Sequence, residues 1–300
     1  MSSILCFGEI LWDCLPHGLF LGGAPFNVAY HLKQLGHEPL MLSSVGDDWL
    51  GTQTLKRIRA RGLSDKHIQV HRELPTGTVD VVVDASGNAT YEFADPTAWD
   101  RLPDTEAVLE SAQKCQALVF GSLALRHKEN RALLYKLLAQ RHWLSVFDVN
   151  LRPPYDDVPL ALELAQHADV LKLNASELLR LTNHVPVPDV DKDEKLIREM
   201  LTILETETGC RNICVTRGSY GAFSLREGHL SSADAPAVTV RDTIGAGDAF
   251  TAAFVSGLLS PVEAHEQGAL LKRACVLGAF VASHDGAQPQ YDQQKVFASL

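Results

Sequence analysis

The chain has 300 residues, 46% of them apolar and 21% charged, with a formal net charge of −10 at pH 7. That length suits one large α/β domain, alone or with a small accessory element, and no apolar run is long enough to cross a bilayer. The acidic balance argues against nucleic acid and anionic membranes as partners, because affinity for either rests on Lys and Arg neutralising phosphates.

Any phosphate bound here must therefore be held locally. The start, Met1-Ser2-Ser3-Ile4-Leu5-Cys6, has no basic leader and no apolar signal segment, so the expected location is the cytoplasm. Six scattered cysteines (Cys6, Cys14, Cys115, Cys210, Cys214, Cys275) form no CxxC pair and read as reduced packing residues. The histidines make no HExxH, and His67 with His71 reads as the solvated edge of a strand.

In chain order, apolar or β-branched runs at 4–8, 117–121, 144–148, 170–173 and 212–216 alternate with helical patterns at 130–141, 158–167 and 196–205. This βαβ rhythm predicts a doubly wound, mostly parallel α/β sheet with helices on both faces. Ligands of such sheets bind beyond the carboxyl ends of the strands. Residues 76–93 break the rhythm and read as two strands around a Gly/Asn turn. With residues 13–21 they could form a small projecting sheet that acts as a lid; an edge hairpin of the main sheet is the other reading. Residues 185–195 read as a loop.

Four segments carry chemistry. Leu21-Gly22-Gly23-Ala24-Pro25-Phe26-Asn27 opens an amphipathic helix; its glycines permit close approach of a ligand, and Asn27 can both donate to and accept from sugar hydroxyls, although a plain helix start looks the same. Asp148-Val149-Asn150-Leu151-Arg152 follows a strand end. Asn174 and Glu177 follow another at i, i+3 spacing, and could support a hydrated Mg²⁺ through water or simply cap a helix. In Asp242-Thr243-Ile244-Gly245-Ala246-Gly247-Asp248, glycines at a helix start offer amides and dipole to an anion. A carboxylate in that first turn would repel a resting phosphate. Asp248 makes sense there as the acceptor of a proton from a hydroxyl attacking that phosphate, the alternative being helix packing by the glycines and a capping charge. The segment is neither a P-loop, since no glycine-rich Gly-Lys-Ser/Thr signature occurs, nor a dinucleotide fingerprint, since Phe250 stands at the third glycine.

Together these segments resemble the ribokinase-like sugar kinases of the phosphofructokinase-B type, most closely bacterial fructokinases, across nearly the whole chain. Gly22-Gly23-Ala24-Pro25 with Asn27 matches the N-terminal glycine signature, Asn174 to Glu177 the NxxE motif, and Asp242 to Asp248 the C-terminal signature. The resemblance implies a single ribokinase-like domain over 1–300, lid strands within 11–21 and 68–95, and a homodimer formed through the lid, where Val79, Val81 and Val83 alternate. It implies Asp248 as base, with the amides of Gly245, Ala246 and Gly247 as anion hole. Asp13, Gly23, Asn27, Asn150 and Arg152 would contact the sugar. Asn174, Thr216, Gly218, Gly221, Gly245 and Gly247 would contact ATP. Asn174 and Glu177 would support Mg²⁺, and Asp242, Ile244, Val281, His284 and Gly286 would surround K⁺. The implied reaction is phosphorylation of a hydroxymethyl group, with D-fructose the expected substrate. The alternatives are 2-keto-3-deoxygluconate, whose carboxylate Arg152 could grip, then ribose or nucleosides. A sugar-sensing protein without turnover is the reading from another class.

Overall fold

The structure, a computed structural model, describes residues 2–15, 18–83, 89–140, 142–260 and 266–298, with the side chains of 81–83 and 89–91 outside the description. The strands are β1 (Ser3–Phe7), β2 (Leu11–Leu15), β3 (Gly18–Gly22), β4 (Glu38–Gly46), β5 (Ile68–His71), β6 (Gly77–Val83), β7 (Ala89–Phe93), β8 (Ala117–Gly121), β9 (Leu144–Asp148), β10 (Val170–Asn174), β11 (Asn212–Thr216), β12 (Ala222–Arg226) and β13 (His229–Ala233). The helices are α1 (Ala24–Gln34), α2 (Trp49–Ala60), α3 (Glu106–Ala112), α4 (Lys128–Leu138), α5 (Val158–Ala165), α6 (Ala175–Leu181), α7 (Glu194–Thr208), α8 (Ala246–Leu258), α9 (Gln267–Ala282) and α10 (Gln293–Val296).

Nine strands form the main sheet in the order β13-β12-β11-β10-β9-β8-β1-β4-β5. It is parallel except for β12 and β13 at one edge. The central strands β1 and β8 are apolar and buried along nearly their whole length because both faces are covered. Along β1, Leu5 and Phe7 pack into one layer with Leu118, Phe120, Leu133 and Leu137. The intervening Ile4 and Cys6 pack into the opposite layer with Ala117, Val119, Phe254 and Leu277. The chain winds from β1 outward to β4 and β5, then returns to β8 and winds the other way. That reversal beside β1 is where a crevice opens at the carboxyl ends of a doubly wound sheet.

A separate four-stranded sheet, β3-β2-β6-β7, leaves this end of the fold. β2 and β3 form a hairpin directly after β1, and β2 pairs parallel to β6. Its roots are buried: Trp12 donates Nε1–H to Thr54 Oγ1 of α2 at 2.9 Å, and Trp99 fills the space that a side chain at Gly77 would need. Its later strands, β6 and β7, fall within the 68–95 window, while β5 pairs with β4 in the main sheet, so this half of the small sheet begins at Gly77. His67 is buried rather than solvated, and His71 bonds the Arg101 carbonyl at 2.8 Å. The Gly/Asn turn expected at 85–89, apart from Ala89, and the facing of Val81 and Val83 lie outside the described residues. α7 starts inside the segment read as a loop because Asp193 caps it, accepting from Leu196 N at 3.0 Å; it ends where Gly209 turns left-handed.

Candidate active site

The site is assembled where β1 ends. Gly23, at φ 111°, lies against the Glu9 carbonyl so closely that no side chain could be accommodated, and this contact sets the entry into α1. Glu9 Oε1 accepts from Ala24 N at 3.2 Å. Four residues into the helix, Asn27 donates Nδ2–H to Asp248 Oδ2 at 2.8 Å. Gln288 Nε2 donates to Asn27 Oδ1 at 2.6 Å and to the Leu21 carbonyl at 3.0 Å. Since Asn27 Oδ1 must face a donor, its amide nitrogen must face Asp248.

Asp248 stands in the first turn of α8. Gly245, left-handed at φ 76°, begins that helix, and a Cβ there would overlap Ala287. The Ala246 amide turns back onto the Thr243 carbonyl at 3.3 Å. That leaves the amides of Gly245 and Gly247, among the three expected, as those open to an anion. Burial pushes the Asp248 carboxyl up to about 6; the Asp148 charge adds to this, while the Asn27 donor, Lys172 and Arg152 oppose it. A carboxyl with that pKa is ionised near neutrality and still accepts a proton readily.

Beneath the start of α8 is an ion pair that sequence reasoning missed. Lys172 Nζ donates to both Asp148 oxygens at 3.0 Å, and Thr251 of α8 donates to Asp148 Oδ2 at 2.8 Å. An ideal Cβ on Gly247 would lie 3.4 Å from that ammonium. Burial alone would lower the Lys172 pKa, but Asp148, Glu177 and Asp248 raise it, so the ammonium stays charged. The signal in the sequence was a lysine interrupting the apolar strand Val170-Leu171-Lys172-Leu173. Glu9 was also missed. It is buried, its Oε2 has no hydrogen-bond partner, and burial lifts its carboxyl to about 7.

The expected sugar residues approach from several elements. Asp13 on β2 is half-buried, its carboxyl raised to about 6 by burial. Arg152 is exposed, and its charge lowers the pKa values of Glu9, Asp13 and Asp248 alike. Asn150, at φ 40°, has its carbonyl held by Ser122 Oγ at 3.2 Å. Of the residues expected at the nucleotide, Asn174 and Glu177 form a reciprocal capping box at 2.9 and 2.8 Å. The second Glu177 oxygen accepts from Leu151 N at 2.9 Å, so Glu177 ties the β9 and β10 ends together. Thr216 lies beside Asn174 in register. Gly218 (φ 54°) and Gly221 (φ 84°) frame the following turn, and Gly221 is pressed against the Ala233 carbonyl.

Of the five residues expected around K⁺, Asp242 joins two loops, accepting from Ile244 N at 2.9 Å and Gly286 N at 3.1 Å. Val281 and His284 sit at the end of α9, where the Val281 carbonyl accepts from His284 N at 2.9 Å and the His284 ring bonds the Phe280 carbonyl at 2.7 Å.

A profile described as "pfkB family carbohydrate kinase" matches residues 17–294. Fructokinase of Rhizobium leguminosarum bv. trifolii is 27% identical over 277 residues, covering 85% of this chain and 79% of its own. Deoxyribokinase of Salmonella typhi is 26% identical over 277 residues, covering 92% and 86%. The fructokinase of Vibrio cholerae O395 in its fructose-, ADP- and calcium-bound form superposes with a TM-score of 0.84 at 25% identity, covering 99% and 98%.

Proposed function

Because this chain belongs to the pfkB family of carbohydrate kinases and is a sugar kinase, we propose that it transfers the γ-phosphate of ATP to the hydroxymethyl oxygen of D-fructose, giving fructose 6-phosphate. The observation that carries the reading is the Asp248 carboxylate, held by Asn27 at 2.8 Å in the first turn of a helix whose leading amides are open. Asn27 engages Oδ2, which leaves Oδ1 to take the proton of the sugar hydroxyl. The sugar's hydroxyl oxygen then forms the new P–O bond while the β,γ-bridging P–O bond breaks and ADP leaves with its electron pair. The Gly245 and Gly247 amides, with the Lys172 ammonium beside Gly247, meet the charge on the phosphoryl group in flight.

Asp13, Gly23, Asn27, Asn150 and Arg152 would seat the sugar, and Asn174, Thr216, Gly218 and Gly221 the nucleotide. Magnesium brought with ATP would neutralise phosphate charge; Asn174 and Glu177 would hold it through water, since both Glu177 oxygens already accept amide protons. A potassium ion would lie between the two loops that Asp242 ties together. The small sheet would serve as lid and pair two copies of the chain, Leu19 and Phe20 on β3 being 43% and 41% exposed; a monomer by light scattering refutes the pairing.

Fructose is favoured by the Rhizobium and Vibrio relatives, both fructokinases. A sugar acid is the second reading, because Arg152 has no ion-pair partner among the described residues. The test is ADP release from ATP and Mg²⁺ with D-fructose, 2-keto-3-deoxygluconate, ribose, adenosine and fructose 6-phosphate. Fructose should turn over, and Asp248→Asn should lose at least about 10²–10³ in rate, the scale of one lost transition-state contact. Turnover of another sugar would replace fructose and keep the mechanism; near-normal Asp248→Asn activity would remove the base.

A further inference from the structure

A cavity of ≈ 680 Å³ has Asp13, Gly22 and Gln288 in its wall together with three arginines, Arg57, Arg61 and Arg241. Arg57 and Arg61 close the last turn of α2 at i, i+4 spacing, so two like charges share one face. Each is propped on aromatic rings: Arg57 lies 4.4 Å from the Trp12 centroid, and Arg61 lies 5.8 and 5.6 Å from those of Phe26 and Tyr30. Among the described residues neither has a carboxylate within ion-pair distance, whereas Arg59, on another face of the helix, pairs with Asp65 at 2.6 Å. Arg61 Nη1 is buried with no hydrogen-bond partner.

The helix dipole favours cations at this end, which explains basic residues there. It does not explain a buried guanidinium N–H left unpaired, an arrangement that is costly until an acceptor arrives. The acids of the same cavity are largely committed: Asp242 accepts two backbone amides and Asp285 lies 3.4 Å from Arg241. We propose that Arg57 and Arg61 form a binding site for the oxyanion of a small molecule, a phosphate or carboxylate group, with the rest of that molecule lying in the cavity toward Phe20 and Leu15. Two planar guanidinium forks on rigid aromatic supports suit bidentate capture of such a group, and the volume is that of a small-molecule site.

Isothermal titration of the full chain at constant ionic strength tests this, with inorganic phosphate and gluconate as probes and neutral glucitol as control. At least one oxyanion should bind saturably, and Arg57→Gln should weaken it by about tenfold or more, the effect of losing one charged hydrogen-bond partner. Arg61→Gln should do the same where it folds; Arg57, being exposed, keeps the test valid if it does not. Phosphate held instead by the α8 amides would be indifferent to Arg57→Gln. Affinity unchanged by that substitution, or no saturable binding of either oxyanion, overturns the proposal.

Discussion

Replacing Lys172 with methionine keeps much of the side-chain volume and removes the charge that faces Asp148. Asp148 would then be buried with Thr251 Oγ1 as its one remaining side-chain donor among the described residues. Leaving one member of a buried pair uncompensated costs about 3–5 kcal/mol. At about 2–4 °C per kcal/mol for a chain of this size class, Tm should fall by roughly 6–20 °C. The same substitution acts on Asp248. Lys172 lowers the Asp248 pKa and Asp148 raises it, so Lys172→Met should move the acid limb of kcat/KM above pH 6, and adding Asp148→Asn should move it back. The double variant should also recover more than half of the lost stability, because the pair is removed together. Thermal melts and pH–rate profiles on the four proteins of this cycle give both answers. A loss below about 1 kcal/mol in the single variant would place the ammonium in solvent-like surroundings, contrary to the buried geometry. A double variant no better than the single would refute the charge argument.

Glu9→Gln should stabilise the protein at pH 8 and do little at pH 4.5: the native carboxyl titrates near 7 against an ordinary 4.5, so its ionisation on the alkaline side opposes folding by on the order of 3 kcal/mol, and that penalty disappears as pH falls below the unfolded value. Thermal melts at the two pH values check the sign; equal shifts would show that the effect is not ionisation. Gly245→Ala should lose activity and about 1–3 kcal/mol of stability through its left-handed φ, with the overlap on Ala287 adding to the loss. Denaturant titration and kcat report the two losses, and a fully active, stable variant would show that the helix start can shift. Replacing K⁺ by Na⁺ should slow turnover, and Asp242→Asn should abolish that difference by presenting an N–H where an amide now donates. A rate insensitive to the cation rules out the ion between these loops.

How much of this was readable depends on distance along the chain. The runs at 117–121, 144–148 and 212–216 coincide with β8, β9 and β11, because a strand buried on both faces must be a continuous apolar run. β4 was not named: Ser43 and Ser44, both fully buried, interrupt its pattern. β13 escaped as well, being a half-exposed edge with two serines. The helix start at the C-terminal signature, with Asp248 in its first turn, was legible since a glycine entry into a helix is local to one turn. The contacts that position them are not. Thr251 reaches Asp148 across 103 positions and Gln288 reaches Asn27 across 261, and no spacing within a single sequence encodes such pairs.

The acidity that argued against a nucleic-acid partner also constrains how a phosphate can be held. With a net charge of −10 the chain has no field to gather anions broadly, and its site adds the carboxyls of Glu9, Asp13 and Asp248. Those groups would defeat phosphate binding if all were ionised in water. Burial changes the balance by raising all three pKa values, which lowers the resting negative charge and gives Asp248 a basicity suited to proton transfer near neutrality. Opposing charge is supplied at short range, by two open amides, the helix dipole and one lysine kept ionised by Asp148. Exchanging Lys172 for a surface lysine elsewhere would preserve the net charge and lose the effect, because attraction between charges in the low-dielectric interior depends on position rather than on sum.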